Sequence, residues 1–232
     1  MHRENQMSYQ DIKVNETAVR ILLPDSSYDT LIYMPVSDPG SLNGIIEKFE
    51  APSFAAAAVV CDDWDSEMTP WPAPAAFKGR PDFGGRADAF LDRLYSEIFP
   101  AVEMITDSPE FRGMAGYSLA GLFSLYSFYK RADLRLCGCV SGSVWYEGFE
   151  DWALERLPLA ESGSIFFSLG NKEEKTRNVM MQHTGQMMRK IADHLNKEED
   201  RFEASFRYTS GTHFDGYEDR MRECLSWLMG ED

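Results

Sequence analysis

The stretch Gly116-Tyr117-Ser118-Leu119-Ala120-Gly121 constrains the fold more than any other part of the chain. It follows a run of small and apolar residues, Gly113-Met114-Ala115-Gly116, and opens a helical pattern lasting from Leu119 to Lys130. A chain that turns from strand into helix this abruptly strains the backbone at the corner, and side chains at the flanking positions would collide. Small flanking residues remove that obstacle. The corner then presents a serine hydroxyl above the end of a sheet, at the positive end of the following helix. Ser118 is therefore a candidate nucleophile. The competing reading is a helix cap, in which Ser118 accepts a bond from the amide of Leu119 or Ala120 and does nothing else.

Strand-like and helical segments alternate along most of the chain. The strand candidates are Ala18–Leu23, Leu31–Val36, Phe54–Cys61, Arg112–Tyr117, Leu136–Ser141, Ser164–Leu169 and Phe202–Tyr208. Several are short, continuous apolar runs, as expected of strands covered on both faces. The helical candidates are Ser41–Phe49, Arg86–Phe99, Leu119–Lys130, Thr176–Asn196 and Tyr217–Met229. The early strands lie close together, which predicts an antiparallel start. The later ones are separated by helices, which predicts right-handed crossovers and a parallel sheet with helices on both faces. No linker or shift of composition divides the chain, so residues 1–232 read as one α/β domain preceded by a polar segment, residues 1–15. One long irregular region, Asp62 to Gly85, follows the strand Phe54–Cys61 and so starts at the carboxyl edge of the sheet, where ligands collect in open α/β folds.

The net charge of −15 argues against nucleic acid and against anionic lipid as partners, because both need a basic face. The longest apolar run, Phe54 to Cys61, is too short to span a bilayer, and Met1 to Asp11 has no apolar signal core. Cys61, Cys137, Cys139 and Cys224 form no Cys-x-x-Cys pair. Cys137 and Cys139 alternate in a strand-like run and point to one face. The four read as reduced thiols of a cytoplasmic protein.

A serine nucleophile needs a base to take its proton and an acid to hold that base. A serine on a strand-to-helix corner resembles the arrangement of α/β-hydrolases, where the chain order is nucleophile, acid, histidine. Of the four histidines, His2 lies in the polar tail, and His183 and His194 flank a helical stripe. His213 follows the last strand, in Ser210-Gly211-Thr212-His213-Phe214-Asp215-Gly216, just before the final helix. That is the place for the base; the alternative is an ordinary loop residue. The acid should follow Ser164–Leu169, where Gly170-Asn171-Lys172-Glu173-Glu174-Lys175 offers Glu173 first and Glu174 second. These glutamates could instead open the next helix as solvated charges, leaving a Ser–His dyad.

An oxyanion hole needs two amides. One would come from Leu119. The other is sought in the loop after Phe54–Cys61, at Asp62, Asp63 or Trp64, with Asp63 taken as the reference position. The acids Asp62, Asp63, Asp65 and Glu67 lack histidine or a second carboxylate cluster, so they read as a solvated acidic loop and no metal or other cofactor is expected. Trp64, Met68, Trp71, Trp145 and Tyr146 fall in loops after strands. There, Trp64, Trp71, Trp145 and Tyr146 could pack an acyl or aryl group, or simply anchor the loops.

From about Ala55 to the C-terminus the chain resembles the Putative esterase family of α/β-hydrolases, which includes esterase D-like and ferric-siderophore (enterochelin-type) esterases. The matching segments are Asp63-Trp64, Thr69 to Pro74, Gly84 to Leu91, Glu97 to Pro100, Gly116 to Gly121, Ser141 to Tyr146, Gly170 to Glu173 and Gly211-Thr212-His213. The resemblance implies an α/β-hydrolase fold and hydrolysis of a small-molecule carboxylic ester by Ser118, Glu173 and His213. Esterase D-like members usually carry aspartate as the acid, where this loop has glutamate. The competing activities are an acyltransferase on the same residues and a non-catalytic binding protein that keeps the fold. The number of subunits is left open.

Overall fold

The computed structural model describes residues 7–49, 52–198 and 200–231. Its centre is an eight-stranded sheet made of β1 (Ser8–Val14), β2 (Thr17–Leu23), β3 (Thr30–Val36), β4 (Ala55–Val60), β7 (Phe111–Tyr117), β8 (Leu134–Val140), β9 (Gly163–Gly170) and β10 (Phe202–Thr209). The spatial order is β1-β2-β4-β3-β7-β8-β9-β10. Within this sheet, the β1–β2 and β2–β4 pairs are antiparallel and the others parallel. The antiparallel start and parallel remainder expected from the spacing of the elements are both present.

Each interior strand sends alternate residues to opposite faces, and each face has its own core. Ile32, Met34, Ala56, Ala58, Ala115 and Val140 face α1 (Ser41–Ile46) and α8 (Tyr217–Leu228), which bring Leu42, Ile45, Met221 and Leu225. Leu31, Tyr33, Ala55, Ala57, Met114 and Ile165 face the other layer. That layer holds α2 (Trp64–Glu67), α3 (Ala87–Arg93), α4 (Phe99–Thr106), α5 (Leu119–Lys130), α6 (Phe149–Leu154) and α7 (Thr184–Leu195). Helices on both faces explain why the strands read as continuous apolar runs. Cys137 and Cys139 do share one face, and all four cysteines are buried free thiols.

Four segments depart from the sequence reading. The polar segment 1–15 contains β1, an edge strand paired with β2 from Ser8↔Leu23 to Val14↔Thr17. Its side chains are mostly exposed, so it carries no apolar signature. The helix from Arg86 does not stop before Pro100. A π-helical turn, Leu94–Ile98, widens the backbone there, and α4 continues beyond it. Proline lacks the N–H that a regular turn would use, and a wide turn absorbs that loss. In place of one helix from Thr176, a short 3-10 turn (Val179–Met181) capped by Asn178 precedes α7. The region Asp62 to Gly85 is also more ordered than expected. It holds α2 and a small ladder between β5 (Pro72–Ala73) and β6 (Phe83–Gly84).

Close approach at the β7–α5 corner depends on glycine. A Cβ at Gly116 would lie 2.3 Å from the Ala120 carbonyl oxygen, and one at Gly121 would lie 3.0 Å from Gly142 Cα. Both obstacles are backbone and cannot swing aside. Gly116→Ala should therefore destabilise the protein by about 1–3 kcal/mol, the usual cost of overpacking. Urea denaturation would show this as a lowered midpoint, and an unchanged midpoint would contradict the close approach.

Candidate active site

Ser118 sits between β7 and α5 with φ 61° and ψ −123°, a left-handed conformation that costs a non-glycine residue roughly 1–3 kcal/mol. Its backbone is held on both sides: its N–H donates to Val140 O (3.1 Å), and its C=O accepts from Leu122 N (3.1 Å) and Ser143 N (3.0 Å). Its side chain makes no cap bond to the helix. The hydroxyl instead meets His213, with Oγ 3.1 Å from Nε2. On the far side of the imidazole, Nδ1 lies 2.8 Å from Glu173 Oε2. With the carboxylate as acceptor, Nδ1 carries the proton and Nε2 is free to accept one from Ser118. The structure thus brings Ser118, His213 and Glu173 into one hydrogen-bonded line from the carboxyl ends of β7, β10 and β9. Glu174 points elsewhere, accepting from Gly185 N (3.0 Å) and from the Tyr208 hydroxyl (2.8 Å).

The loops that carry Glu173 and His213 are stitched together. Asn171 N donates to Thr209 O (2.8 Å), and Lys172 N donates to Gly211 O (3.0 Å). Asp215 closes the base loop by accepting from Thr212 N (2.8 Å) and Thr212 Oγ1 (2.7 Å). Three further residues complete the site: Arg220, Ser141 and Tyr117. Glu173 Oε1 accepts from Gly170 N (2.7 Å), Ser141 Oγ (2.8 Å) and Arg220 Nη1 (2.7 Å). Ser141 reaches it from a strained backbone, φ 44°. The Tyr117 hydroxyl donates to the His213 carbonyl (2.7 Å). A signal for Arg220 was present in the sequence: it is a cation on the stripe Met221, Cys224, Leu225 and Leu228 that α8 buries. Burial pushes the Glu173 carboxyl up, but the bonds from His213, Gly170 and Ser141 outweigh it and hold the group below its ordinary range.

Leu119 is the first residue of α5, so its amide has no partner inside the helix. The sheet order moves the search for a second amide. β3 pairs directly with β7, whereas β4, which leads to Asp63, stands one strand spacing further away, about 4.8 Å. In the loop after β3, Pro39 has no N–H, and Gly40 N is taken by Asp38 Oδ1 (3.0 Å). Ser37 and Asp38 carry the remaining amides. Asp63 itself pairs with Arg86. Asp65 pairs with Arg80 (3.8 Å) and Glu67 with Arg93 (3.1 Å), so this loop is largely ion-paired, while Asp62 is exposed. Among the described residues, no cluster of His, Cys, Asp and Glu side chains could hold a metal ion.

A cavity of about 590 Å³ opens over Ser118 and His213. Phe77, Trp145, Met181 and Phe214 line its apolar part, and Lys172 and Lys175 stand on its wall. Phe77 and Phe214 were not singled out from the sequence, because nothing local marks loop aromatics that the fold gathers from distant segments. Of the expected substrate-binding aromatics, only Trp145 lines this cavity. Trp71 and Tyr146 anchor loops: the Trp71 indole donates to Glu147 O (2.9 Å), and buried Tyr146 bonds the Trp71 carbonyl. Trp64 packs against the core beside α3, and Met68 is fully buried. A larger groove, about 800 Å³, lies at the opposite end of the sheet near Thr30 and Gly163, away from the serine.

The strand order, the elbow and the Ser–His–Glu line define an α/β-hydrolase. Residues 42–227 match the family described as "Putative esterase". The chain belongs to that family, and the protein is an esterase. It is 25% identical over 202 residues to "Uncharacterized protein YbbA" of Bacillus subtilis (strain 168), covering 82% of this chain and 79% of that one. Among solved structures, it is similar to an IroE-like serine hydrolase from Shewanella oneidensis (TM-score 0.81, 15% identity, 96% of this chain and 80% of that one). The siderophore hydrolase EstB from Aspergillus nidulans is also similar (TM-score 0.76, 15% identity, 96% and 94%). So is the enterobactin hydrolase IroE in complex with DFP (TM-score 0.67, 17% identity, 100% and 98%). No helix among the described residues is long and apolar enough to cross a membrane.

A carboxyl held below its ordinary range stabilises the fold above the unfolded-state value, about 4.3 for glutamate, and loses that contribution as pH falls through the lower folded value. Glu173→Gln should lower stability at neutral pH and flatten its fall between about pH 5 and 3. Chemical denaturation at a series of pH values would read this, and parallel curves for the two proteins would refute it.

Proposed function

We propose that the protein hydrolyses a small-molecule carboxylic ester through an acyl-enzyme on Ser118. The observation that carries the reading is the continuous line from Ser118 Oγ to His213 Nε2 (3.1 Å) and from His213 Nδ1 to Glu173 Oε2 (2.8 Å) at the floor of a cavity. Ser118 Oγ attacks the ester carbonyl carbon as His213 Nε2 takes its proton. Glu173 holds the imidazole in the required tautomer and stabilises the imidazolium. The negative oxygen is held by the Leu119 amide and by an amide of the loop after β3, Ser37 or Asp38, which takes the place first sought at Asp63. His213 returns the proton to the departing alcohol. It then draws one from a water that attacks the acyl carbon, and gives that proton to Ser118 Oγ as the acyl–oxygen bond breaks and the carboxylic acid leaves.

Water reaches the base, because the His213 side chain is 33% exposed; this favours hydrolysis over transfer to an alcohol. Trp145, Phe77 and Phe214 offer the acyl or aryl part of the ester an apolar wall. Similarity to a serine hydrolase and to siderophore hydrolases supports the same chemistry. Four thiols left unpaired in the core suit the reducing cytoplasm.

Ser118→Ala should lower kcat for a p-nitrophenyl ester by at least about 10³-fold and abolish labelling by a fluorophosphonate. His213→Ala should lose a similar factor, with no further loss in the double mutant, because the two act as a unit. Glu174→Gln should stay near wild type. Turnover that survives in Ser118→Ala would end the assignment.

Proline scanning tests the oxyanion amides. Either Ser37→Pro or Asp38→Pro should lower kcat by about 10²–10³-fold, and Asp63→Pro should not. The reverse pattern in steady-state kinetics would return the second amide to the loop after β4.

A further inference from the structure

Arg220 is 3% exposed, which makes it the most deeply buried charged side chain at the site. A buried guanidinium is tolerated only when its charge and its N–H groups are compensated. Here the compensation of the terminal N–H groups comes from the active site itself, while the Nε–H is buried without a partner. Nη1 donates to Glu173 Oε1 (2.7 Å), Ser141 Oγ (2.8 Å) and the Tyr117 hydroxyl (3.0 Å). Nη2 donates to the carbonyls of Ser210 (3.0 Å) and Thr212 (2.8 Å), on either side of Gly211 in the base loop. One planar group therefore touches the acid loop, the base loop, the end of the nucleophile strand and the turn after β8. Gly170 makes room for it, since a Cβ there would lie 2.5 Å from Nη2.

The division of labour on Glu173 follows from this. Oε1 is saturated by Arg220, Ser141 and Gly170, so Oε2 is left for His213 alone. The carboxylate cannot rotate without breaking three bonds. Arg220 is in turn fixed by α8, whose Met221, Cys224 and Leu225 are packed into the core.

We propose that Arg220 is a positioning residue of the esterase site, whose guanidinium holds Glu173 Oε1 in place and locks the acid, base and nucleophile segments in one register. The proposal rests on the Ser118 reading above and goes beyond it. It differs from a merely structural ion pair in what its loss would do to each folded molecule. The charged and titratable groups that face the cluster are Glu173 and Lys172 on the acid loop, Asp215 on the base loop, Tyr117 on β7 and Tyr217 on α8. Of these, Glu173 is the one in ion-pair contact with Arg220. Removing the guanidinium charge favours the imidazolium form of His213, so the acid limb of the pH profile should move to higher pH.

The test compares wild type, Arg220→Gln and Arg220→Lys. Active sites are counted by fluorophosphonate labelling, and turnover of a p-nitrophenyl ester per labelled site is followed from pH 5 to 9. Arg220→Gln should lose about 10²-fold in kcat per labelled site, and its acid limb should move up by about one pH unit. Arg220→Lys keeps the charge but not the fork, so its limb should stay in place while kcat falls about tenfold. If Arg220→Gln lowers the melting temperature but leaves turnover per site and the limb at wild type, the role is structural and the proposal is overturned. Should Arg220→Gln fail to accumulate, Arg220→Lys decides: unchanged turnover per site overturns the proposal. Wild-type protein that neither labels nor turns over would instead indict Ser118.

Discussion

The close approach of α5 to the end of β7 is the constraint on which the rest of this structure depends. Without side chains at Gly116 and Gly121, the helix folds back onto its own strand, and Ser118 is left at a left-handed corner with its hydroxyl over the sheet edge. The strain at Ser118 is maintained by bonds to Val140 O and from Ser143 N, both at the end of the neighbouring strand β8. A lone turn would relax; a turn bolted to the adjacent strand cannot. α5 is also buried along almost its whole length, so the core holds the corner from behind.

Parallel order does the remaining assembly. β7, β8, β9 and β10 are consecutive neighbours and run the same way, so their carboxyl ends meet at one edge. Each contributes a different part: Ser118 after β7, the Ser141 hydroxyl that donates to Glu173 after β8, Glu173 after β9 and His213 after β10. Arg220, reaching in from α8 on one face, fills the space that these four ends enclose. The site is polar at its centre yet satisfied, because nearly every strong donor there has a carboxylate, hydroxyl or carbonyl opposite it.

Much of this was legible in the chain. The small-residue corner, the continuous apolar strands and the order serine, glutamate, histidine each rest on local pattern, and local pattern survives folding. The sequence ranks Glu173 ahead of Glu174 by reach from the strand end at Gly170, but adjacent positions in one loop leave the choice open. The tertiary contacts separate them: one carboxylate turns to His213, the other to Gly185 and Tyr208. The aromatics divide between the two roles open to them for the same reason: Trp145 reaches the cavity, and others anchor loops. Trp71 and Tyr146 look like pocket residues from their place after strands, yet they clasp two loops to each other, while Phe77 and Phe214 arrive at the cavity from segments far apart in the chain. β1 was invisible because an exposed edge strand has no apolar face to announce it.

By itself, then, the sequence determined the layered α/β plan and the position of the serine corner and its downstream histidine, because those depend on residue size, periodicity and order along the chain. The tertiary structure decided that β3 and not β4 lies next to β7, which glutamate meets His213, and that a buried arginine binds the Glu173 and His213 loops together. Those choices depend on which strand ends become neighbours, and strand adjacency is set by the packing of the whole sheet, which no local stretch of residues encodes.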